Sequence, residues 1–263
     1  MPKVRYERTG AAAVLTIDRA ERRNAVDHET ASLLLEGFRA FAADDAARVL
    51  VLTGEGPEAF CAGADLKAIA EAGPDVPGEA VDAVIARTEG PMGFTRLVSP
   101  KPTIAAVSGW CLAGGLELAL WCDLRIATET ARLGFTERRF GVPLIDGGTQ
   151  RLPLVVGMGR ALEMILTGRV LSAEEARDWG LVNEVVAEGS HLSRALEMAE
   201  GLARFPQTTM LSDRRAAIEG AGLSLADGLA LEAEVGQASI ETGIRGATRF
   251  AAGEGRGAQG AGV

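Results

Sequence analysis

A chain of 263 residues exceeds the size that one hydrophobic core usually serves, so one large domain plus a smaller appendage is expected. Apolar residues make up 47%, which supplies a sizeable core and sets the chain apart from disordered sequences. The net charge of -9 argues against a nucleic-acid partner, since phosphate binding needs a surplus of Lys and Arg, although a local basic cluster can still hold one polyanionic ligand.

Cys61, Cys111 and Cys122 are too few and too irregularly spaced for a disulfide framework, and their apolar neighbours predict buried free thiols. His28 and His191 are the only histidines, and no Cys-x-x-Cys or His-x-x-x-His pair accompanies them, so no metal site is expected. Met1-Pro2-Lys3-Val4-Arg5 is charged and lacks the apolar run of a signal peptide, which predicts a cytoplasmic protein. The apolar stretch Thr103 to Cys122 approaches membrane-spanning length. Glu117 within it, the Gly114-Gly115 break, and Lys101 and Asp123 at its flanks predict strand, turn and buried helix instead, and no membrane contact.

Along the chain, Val4–Arg8 and Ala12–Ile17 read as strands of a hairpin turning at Thr9-Gly10. Asp27 is placed to cap a helix on which Ala31, Leu34, Leu35, Phe38 and Phe41 recur at helical spacing. Arg48–Thr53 is a continuous apolar run, as in a sheet covered on both faces. After Gly54-Glu55-Gly56-Pro57, the segment Phe60-Cys61-Ala62-Gly63-Ala64-Asp65 leads into a helix, and Gly73–Glu79 predicts a surface loop. Thr103–Val107 and Leu124–Ala127 are further strands, with a helix starting near Gly114 between them. Leu152–Leu166 and Ala173–Trp179 read as helices, and Val182–Val186 as the closing strand. From Ser190 the pattern is helical only, broken at Pro206 and around Gly220-Ala221-Gly222, with a Gly-rich tail from Gly253. The fold class is therefore α/β, with a core over residues 1–190 and a helical region over 191–263.

Three constellations are candidates for chemistry. In Ala113-Gly114-Gly115-Leu116-Glu117 the glycines permit close approach of a ligand, and the helix start leaves the Gly114 N–H free to donate to a developing oxyanion. Glu117, one turn on, shares the helical face of Gly114, although a glutamate pairing with the helix dipole would look the same. In Ala62-Gly63-Ala64-Asp65-Leu66-Lys67 the Ala64 N–H is a second possible donor, unless the segment is an ordinary connection capped by Asp65. A second donor matters because removing one from a known oxyanion hole costs roughly 3–4 kcal/mol of transition-state stabilisation. Glu137, in Leu133-Gly134-Phe135-Thr136-Glu137, is another carboxylate in apolar surroundings; on its residues alone it also fits a solvated ion pair with Arg138 or Arg139. The G-x-G-x-x-G match at Gly255–Gly260 has no strand before it and no helix after it, so it predicts no dinucleotide site.

Together these motifs resemble the enoyl-CoA hydratase/isomerase, or crotonase, family from about Val4 to Phe250. The resemblance rests on Arg22-Arg23-Asn24-Ala25, on Phe60 to Lys67, on Ile104-Ala105-Ala106-Val107-Ser108-Gly109, and on Ala113 to Ala119 with Cys122-Asp123. Gly147-Gly148-Thr149-Gln150-Arg151-Leu152, Leu166-Thr167-Gly168 and Gly180-Leu181-Val182-Asn183 extend it in order. It implies a spiral of repeated β-β-α units with a helical C-terminal trimerisation region, assembled as homotrimers or hexamers. It implies an acyl-CoA thioester whose carbonyl sits between the N–H groups of Ala64 and Gly114, with Glu117 and Glu137 as catalytic acids. Coenzyme A belongs to the substrate, and no separate cofactor is implied. Ala62, Asp65, Leu66, Lys67, Arg23 and Asp146 fall at or near substrate-binding positions, with Arg22, Arg23 and Lys67 as candidate phosphate partners.

Both glutamates are present, which favours hydration across C2=C3 of a 2-enoyl-CoA. Double-bond isomerisation, hydration of a specialised acyl-CoA, and acyl-CoA binding without turnover are the alternatives. Departures from the family pattern are Ala20 in place of proline, Leu144-Ile145 in place of Pro-Gly, and a C-terminus without the usual basic ending. Asp146 adds a third carboxylate near the expected acyl pocket.

Overall fold

The computed structural model describes residues 2–71 and 86–253, so the expected loop at Gly73–Glu79 and the tail beyond Gly253 lie outside the described residues. Two compact units are formed by Met1–Ala199 and Glu200–Val263, dividing inside a helix rather than at residue 190.

In the first unit the strands are β1 (Val4–Thr9), β2 (Ala12–Ile17), β3 (Val49–Gly54), β4 (Ala59–Cys61) and β5 (Thr103–Val107). They continue as β6 (Trp110–Leu112), β7 (Leu124–Thr128), β8 (Arg132–Gly134), β9 (Val170–Ser172) and β10 (Glu184–Val186). Six of them form one sheet in the order β1-β2-β3-β5-β7-β10, parallel throughout except at the β1–β2 hairpin. β4, β6, β8 and β9 form a second sheet, antiparallel only at β8–β9. After β3, β5 and β7 the chain turns sharply and enters the small sheet at β4, β6 and β8. Helix α2 (Leu66–Glu71) follows β4 and helix α3 (Gly114–Trp121) follows β6, so β-β-α units wind as a spiral.

Every residue of β2, β3 and β5 is buried, as their unbroken apolar runs require. Helix α1 (His28–Ala43) begins where Asp27 accepts the Thr30 N–H at 2.8 Å, and its buried stripe includes Leu34, Leu35, Phe38 and Phe41. The helix expected over Leu152–Leu166 is two helices, α4 (Gly148–Val156) and α5 (Met158–Thr167). Gly157 at φ 80° breaks the helical turn between them. The small sheet is absent from the sequence-based expectations because its strands are three residues long, too short for a period-2 pattern. Helix α6 (Ala173–Asp178) and the start of α7 (His191–Arg204) complete this unit. The stretch from Thr103 to Cys122 is β5, β6 and α3; among the described residues no helix is long and apolar enough to cross a membrane.

The second unit carries α8 (Gln207–Glu219), α9 (Leu225–Gln237) and α10 (Ile240–Ala251). Ser212 Oγ donates to the Val235 carbonyl at 3.1 Å and Ser239 Oγ to the Thr208 carbonyl at 3.1 Å, tying these helices together. Leu225, Leu229, Ile240, Ile244 and Phe250 remain exposed.

Arg19, at the end of β2, is buried and pairs with Asp65 at 2.9 Å and Asp27 at 3.2 Å. Asp27 keeps Lys3 at 2.7 Å, but removing Arg19 strips buried Asp65 of its ion-pair partner, and Arg19→Met is expected to cost about 3 kcal/mol or more. Urea unfolding should show this as a lowered midpoint at unchanged slope.

Candidate active site

Two strand-to-helix turns meet at the carboxyl ends of β4 and β6. The first is Ala62-Gly63-Ala64, and the second is Ala113-Gly114. Gly63 has φ +94°, and a Cβ on it would lie 3.0 Å from the Gly114 nitrogen and 2.9 Å from Ala113 Cβ. Only glycine allows both this conformation and this approach. Ala113 takes φ 52° and ψ −126°, a costly conformation for a residue with a side chain, and it starts α3 so that the Gly114 N–H has no acceptor within the helix. The Val26 N–H donates to Gly63 O at 2.8 Å and the Asp65 N–H to Val26 O at 2.9 Å. In that parallel pairing the Ala64 N–H faces away from Val26.

A left-handed pair, Arg23 at φ 51° and Asn24 at φ 56°, flanks the first turn. Fully buried Asn24 holds it by donating to the carbonyls of Ala59 at 2.6 Å and Glu55 at 3.0 Å, and by accepting the Arg19 N–H at 3.0 Å. Arg23 in turn accepts the Ala62 N–H through its carbonyl at 3.0 Å. Asn24 is thus the structural key of the Arg22-Arg23-Asn24-Ala25 motif, a role that needs partners distant in sequence and so was not legible from it.

Glu117 is only 3% exposed. Its Oε1 accepts two main-chain N–H bonds, from Asp146 at 2.9 Å and Gly148 at 2.8 Å. A Cβ on Gly148 would fall 3.1 Å from that same oxygen, so a side chain there would crowd the acid. Burial pushes the Glu117 carboxyl up, the Gly148 N–H pulls it down, and the charges of Asp146 and Glu137 push it up again, to about 7. Glu137 is also buried, and among the described residues neither of its carboxyl oxygens has a hydrogen-bond partner. The solvated ion pair with Arg138 or Arg139 is therefore not formed: those side chains are exposed and donate to the Ile165 and Gly168 carbonyls. Burial raises the Glu137 pKa, which favours the neutral acid.

Asp146 bonds into the segment 90–95 through its carboxylate. Its Oδ1 accepts the Met92 N–H at 3.0 Å and the Thr95 hydroxyl, while burial raises its pKa against those bonds and the nearby Arg96 and Arg151. Asp65 is occupied by Arg19 and by capping α2 through the Lys67 and Ala68 amides, each at 3.2 Å. Ala62 is half-buried, whereas Arg22, Arg23, Leu66 and Lys67 are exposed. The structure brings Ala64, Gly114 and Glu117 into one neighbourhood with Glu137 close enough to act on Glu117, and leaves the basic side chains outside it.

Arg23 also borders an open groove of about 520 Å³ lined with Trp110, Arg132, Thr136, Arg139 and Phe140. Thr136 directly precedes Glu137, so this basic, aromatic surface adjoins the acid. It is built across β6 and β8, which the sequence did not reveal. A larger cleft of about 680 Å³ in the second unit, beside Asp213 and Glu232, holds none of the candidate residues.

The family model for enoyl-CoA hydratase/isomerase matches residues 7–252. The chain belongs to that family. A Bacillus subtilis protein named for the enoyl-CoA hydratase/isomerase family is 39% identical over 230 residues, covering 88% of this chain and 86% of the relative. A carnitinyl-CoA dehydratase of Salmonella paratyphi A is 40% identical over 199 residues, covering 74% and 72%. Among solved structures, an enoyl-CoA hydratase from Mycobacterium tuberculosis H37Rv superposes with a TM-score of 0.85 at 33% identity, covering 95% of this chain and 96% of that one. The two-sheet spiral is thus the crotonase fold, and the two glycine turns and the buried glutamates are placed within it.

The raised pKa of Glu117 has a measurable consequence for stability. The unfolded carboxyl titrates near 4.5 and the folded one at about 7, so the folded state holds its proton across that interval. The associated stability is present below pH 4.5 and is lost as pH rises through about 7, about 3 kcal/mol when complete. Glu117→Gln keeps an acceptor for both amides and has no charge to bury. Denaturant unfolding at pH 8 should find it more stable than wild type, with the difference vanishing towards pH 4.5.

Proposed function

We propose that the protein is an enoyl-CoA hydratase that adds water across C2=C3 of a 2-enoyl-CoA thioester. The observation that carries this reading is the pair of buried carboxyls in unlike settings: Glu117 held by two amides, Glu137 without a partner among the described residues. Such a pair divides into base and acid. The thioester carbonyl would lie against the N–H groups of Ala64 and Gly114, which draws electron density from C3 and stabilises the enolate oxygen. Glu117, ionised, takes a proton from water as the water oxygen bonds to C3. Glu137, neutral, gives its proton to C2 as the enolate collapses, and the product carries hydroxyl at C3 and hydrogen at C2. The reverse sequence is a dehydration, so relatives named for either direction are consistent with one chemistry.

Exposed Arg22, Arg23 and Lys67 are the proposed partners of the coenzyme A phosphates. No cofactor beyond the thioester enters this scheme. A homotrimer or dimer of trimers is also proposed, supported by the exposed Leu225, Leu229, Ile240, Ile244 and Phe250 of the second unit. Light scattering on the eluting protein should give three or six times the 27.4 kDa chain mass, and a monomer would refute the assembly.

The activity is tested by loss of the conjugated enoyl absorbance of crotonyl-CoA. Glu117→Gln and Glu137→Gln should each lower kcat by about 10²- to 10⁴-fold. The acid limb of kcat/KM should sit at about pH 7, where Glu117 titrates. Full turnover in both variants defeats the two-acid scheme. Gain of enoyl absorbance from a 3-enoyl-CoA, without hydration, assigns isomerisation instead, and binding without turnover of either substrate assigns a non-catalytic role.

A further inference from the structure

We propose that Asp146 is a positioning residue that holds the general base and the wall beside the oxyanion turn in one register. This inference rests on the reading of Glu117 as the base. Asp146 reaches in both directions from a single buried site. Its main-chain N–H donates to Glu117 Oε1 at 2.9 Å, while its carboxylate takes the Met92 N–H at 3.0 Å and the Thr95 hydroxyl. Met92 packs against the second glycine turn: a Cβ on Gly114 would lie 2.9 Å from Met92 Sδ. The path from base to oxyanion donor therefore runs Glu117, Asp146, Met92, Gly114, through two hydrogen bonds and one van der Waals contact.

The surroundings are built to keep that path short. Gly90 leaves room for the carboxylate, since a Cβ there would stand 2.3 Å from Thr95 Oγ1 and 3.0 Å from Asp146 Oδ1. Arg151 donates to the carbonyls of Asp146 at 2.9 Å and Thr95 at 2.5 Å, and Arg96 to the carbonyl of Ile145 at 2.9 Å. These arginines clamp the same two segments by their main-chain carbonyls, whereas the Asp146 carboxylate is the group that receives the Met92 N–H and so sets the height of Met92. An alanine at this position would strand a buried N–H and a buried hydroxyl, and the segment 90–95 would shift away from Gly114 to hydrate them. Among the described residues the charges acting on Glu117 include Asp146, Glu137 and Arg151, so replacing Asp146 also changes the field at the base.

The test compares wild type, Asp146→Ala and Asp146→Asn in the full chain, by steady-state kinetics with crotonyl-CoA, thermal unfolding and hydrogen exchange over residues 86–97. A misplaced wall beside the donor is expected to lower kcat of Asp146→Ala by about 10- to 100-fold with KM little changed. Exchange at the Met92 amide should accelerate. Asparagine keeps an oxygen for both donors, so Asp146→Asn should recover most of kcat and leave Met92 protected. Its missing negative charge should move the acid limb of the rate to lower pH. Two results overturn the proposal: lower melting with kcat per active site unchanged in both variants, or a fall in Asp146→Asn as deep as in Asp146→Ala. Should Asp146→Ala fail to fold, an unmoved acid limb in Asp146→Asn is decisive against it. A wild type inactive on crotonyl-CoA defeats the hydratase reading alone. In that case Met92 exchange and the Glu117 pKa, followed by carboxyl NMR in wild type and Asp146→Asn, still decide the role of Asp146.

Discussion

The structure is organised around a carboxyl group taken out of water on a short, apolar helix. Glu117 sits among Leu116, Leu118 and Ala119, all fully buried, and its environment would expel a charge were it not for two main-chain amides. Those amides come from a turn some thirty residues further along the chain, and they converge because Gly148 has no side chain to collide with the acid. The helix start, the glycine turn and the strand order around them are the conditions for that one group to exist there. The result is a carboxyl that is neutral or charged according to small changes near neutral pH, the regime in which proton transfer is most useful.

The second acid is treated differently by the same fold. Glu137 lies in a short helical turn after β8, and the arginines beside it in sequence bond outward to main-chain carbonyls. Burial raises its pKa, while the nearby Arg138 draws it back down. Burial raises both carboxyls, and of the two it is Glu117 that is held by a pair of main-chain amides. Asp146 is a third case, a buried carboxylate that accepts from Met92 and Thr95 while its main-chain N–H donates to Glu117.

The spiral supplies the geometry that these groups need. Alternating between a long sheet and a short one, the chain delivers the turns after β4 and β6 side by side, where Gly63 lets the two backbones touch. The long sheet provides the rigidity: β2, β3 and β5 are buried at every position and cannot shift without opening the core. The short strands provide placement, and the basic and aromatic groove across β6 and β8 follows from them.

The sequence by itself determined the elements whose signal is local. The apolar runs of β2, β3 and β5, the capped stripe of α1 and the glycine turns at 63 and 114 are all written in neighbouring residues, and they carried the α/β class and the family resemblance. Glu117 was legible as a candidate because a carboxylate amid leucines is costly wherever it sits. Tertiary structure alone decided the rest. Three-residue strands have no periodicity to read, so the second sheet and its groove appeared only when the strands paired. Gly157 divided a helix that hydrophobic spacing ran together. Whether Glu137 met an arginine or none, and which groups the Asp146 carboxylate accepted from, depended on partners tens of residues away. Charge state is set by such partners, and a one-dimensional pattern does not contain them.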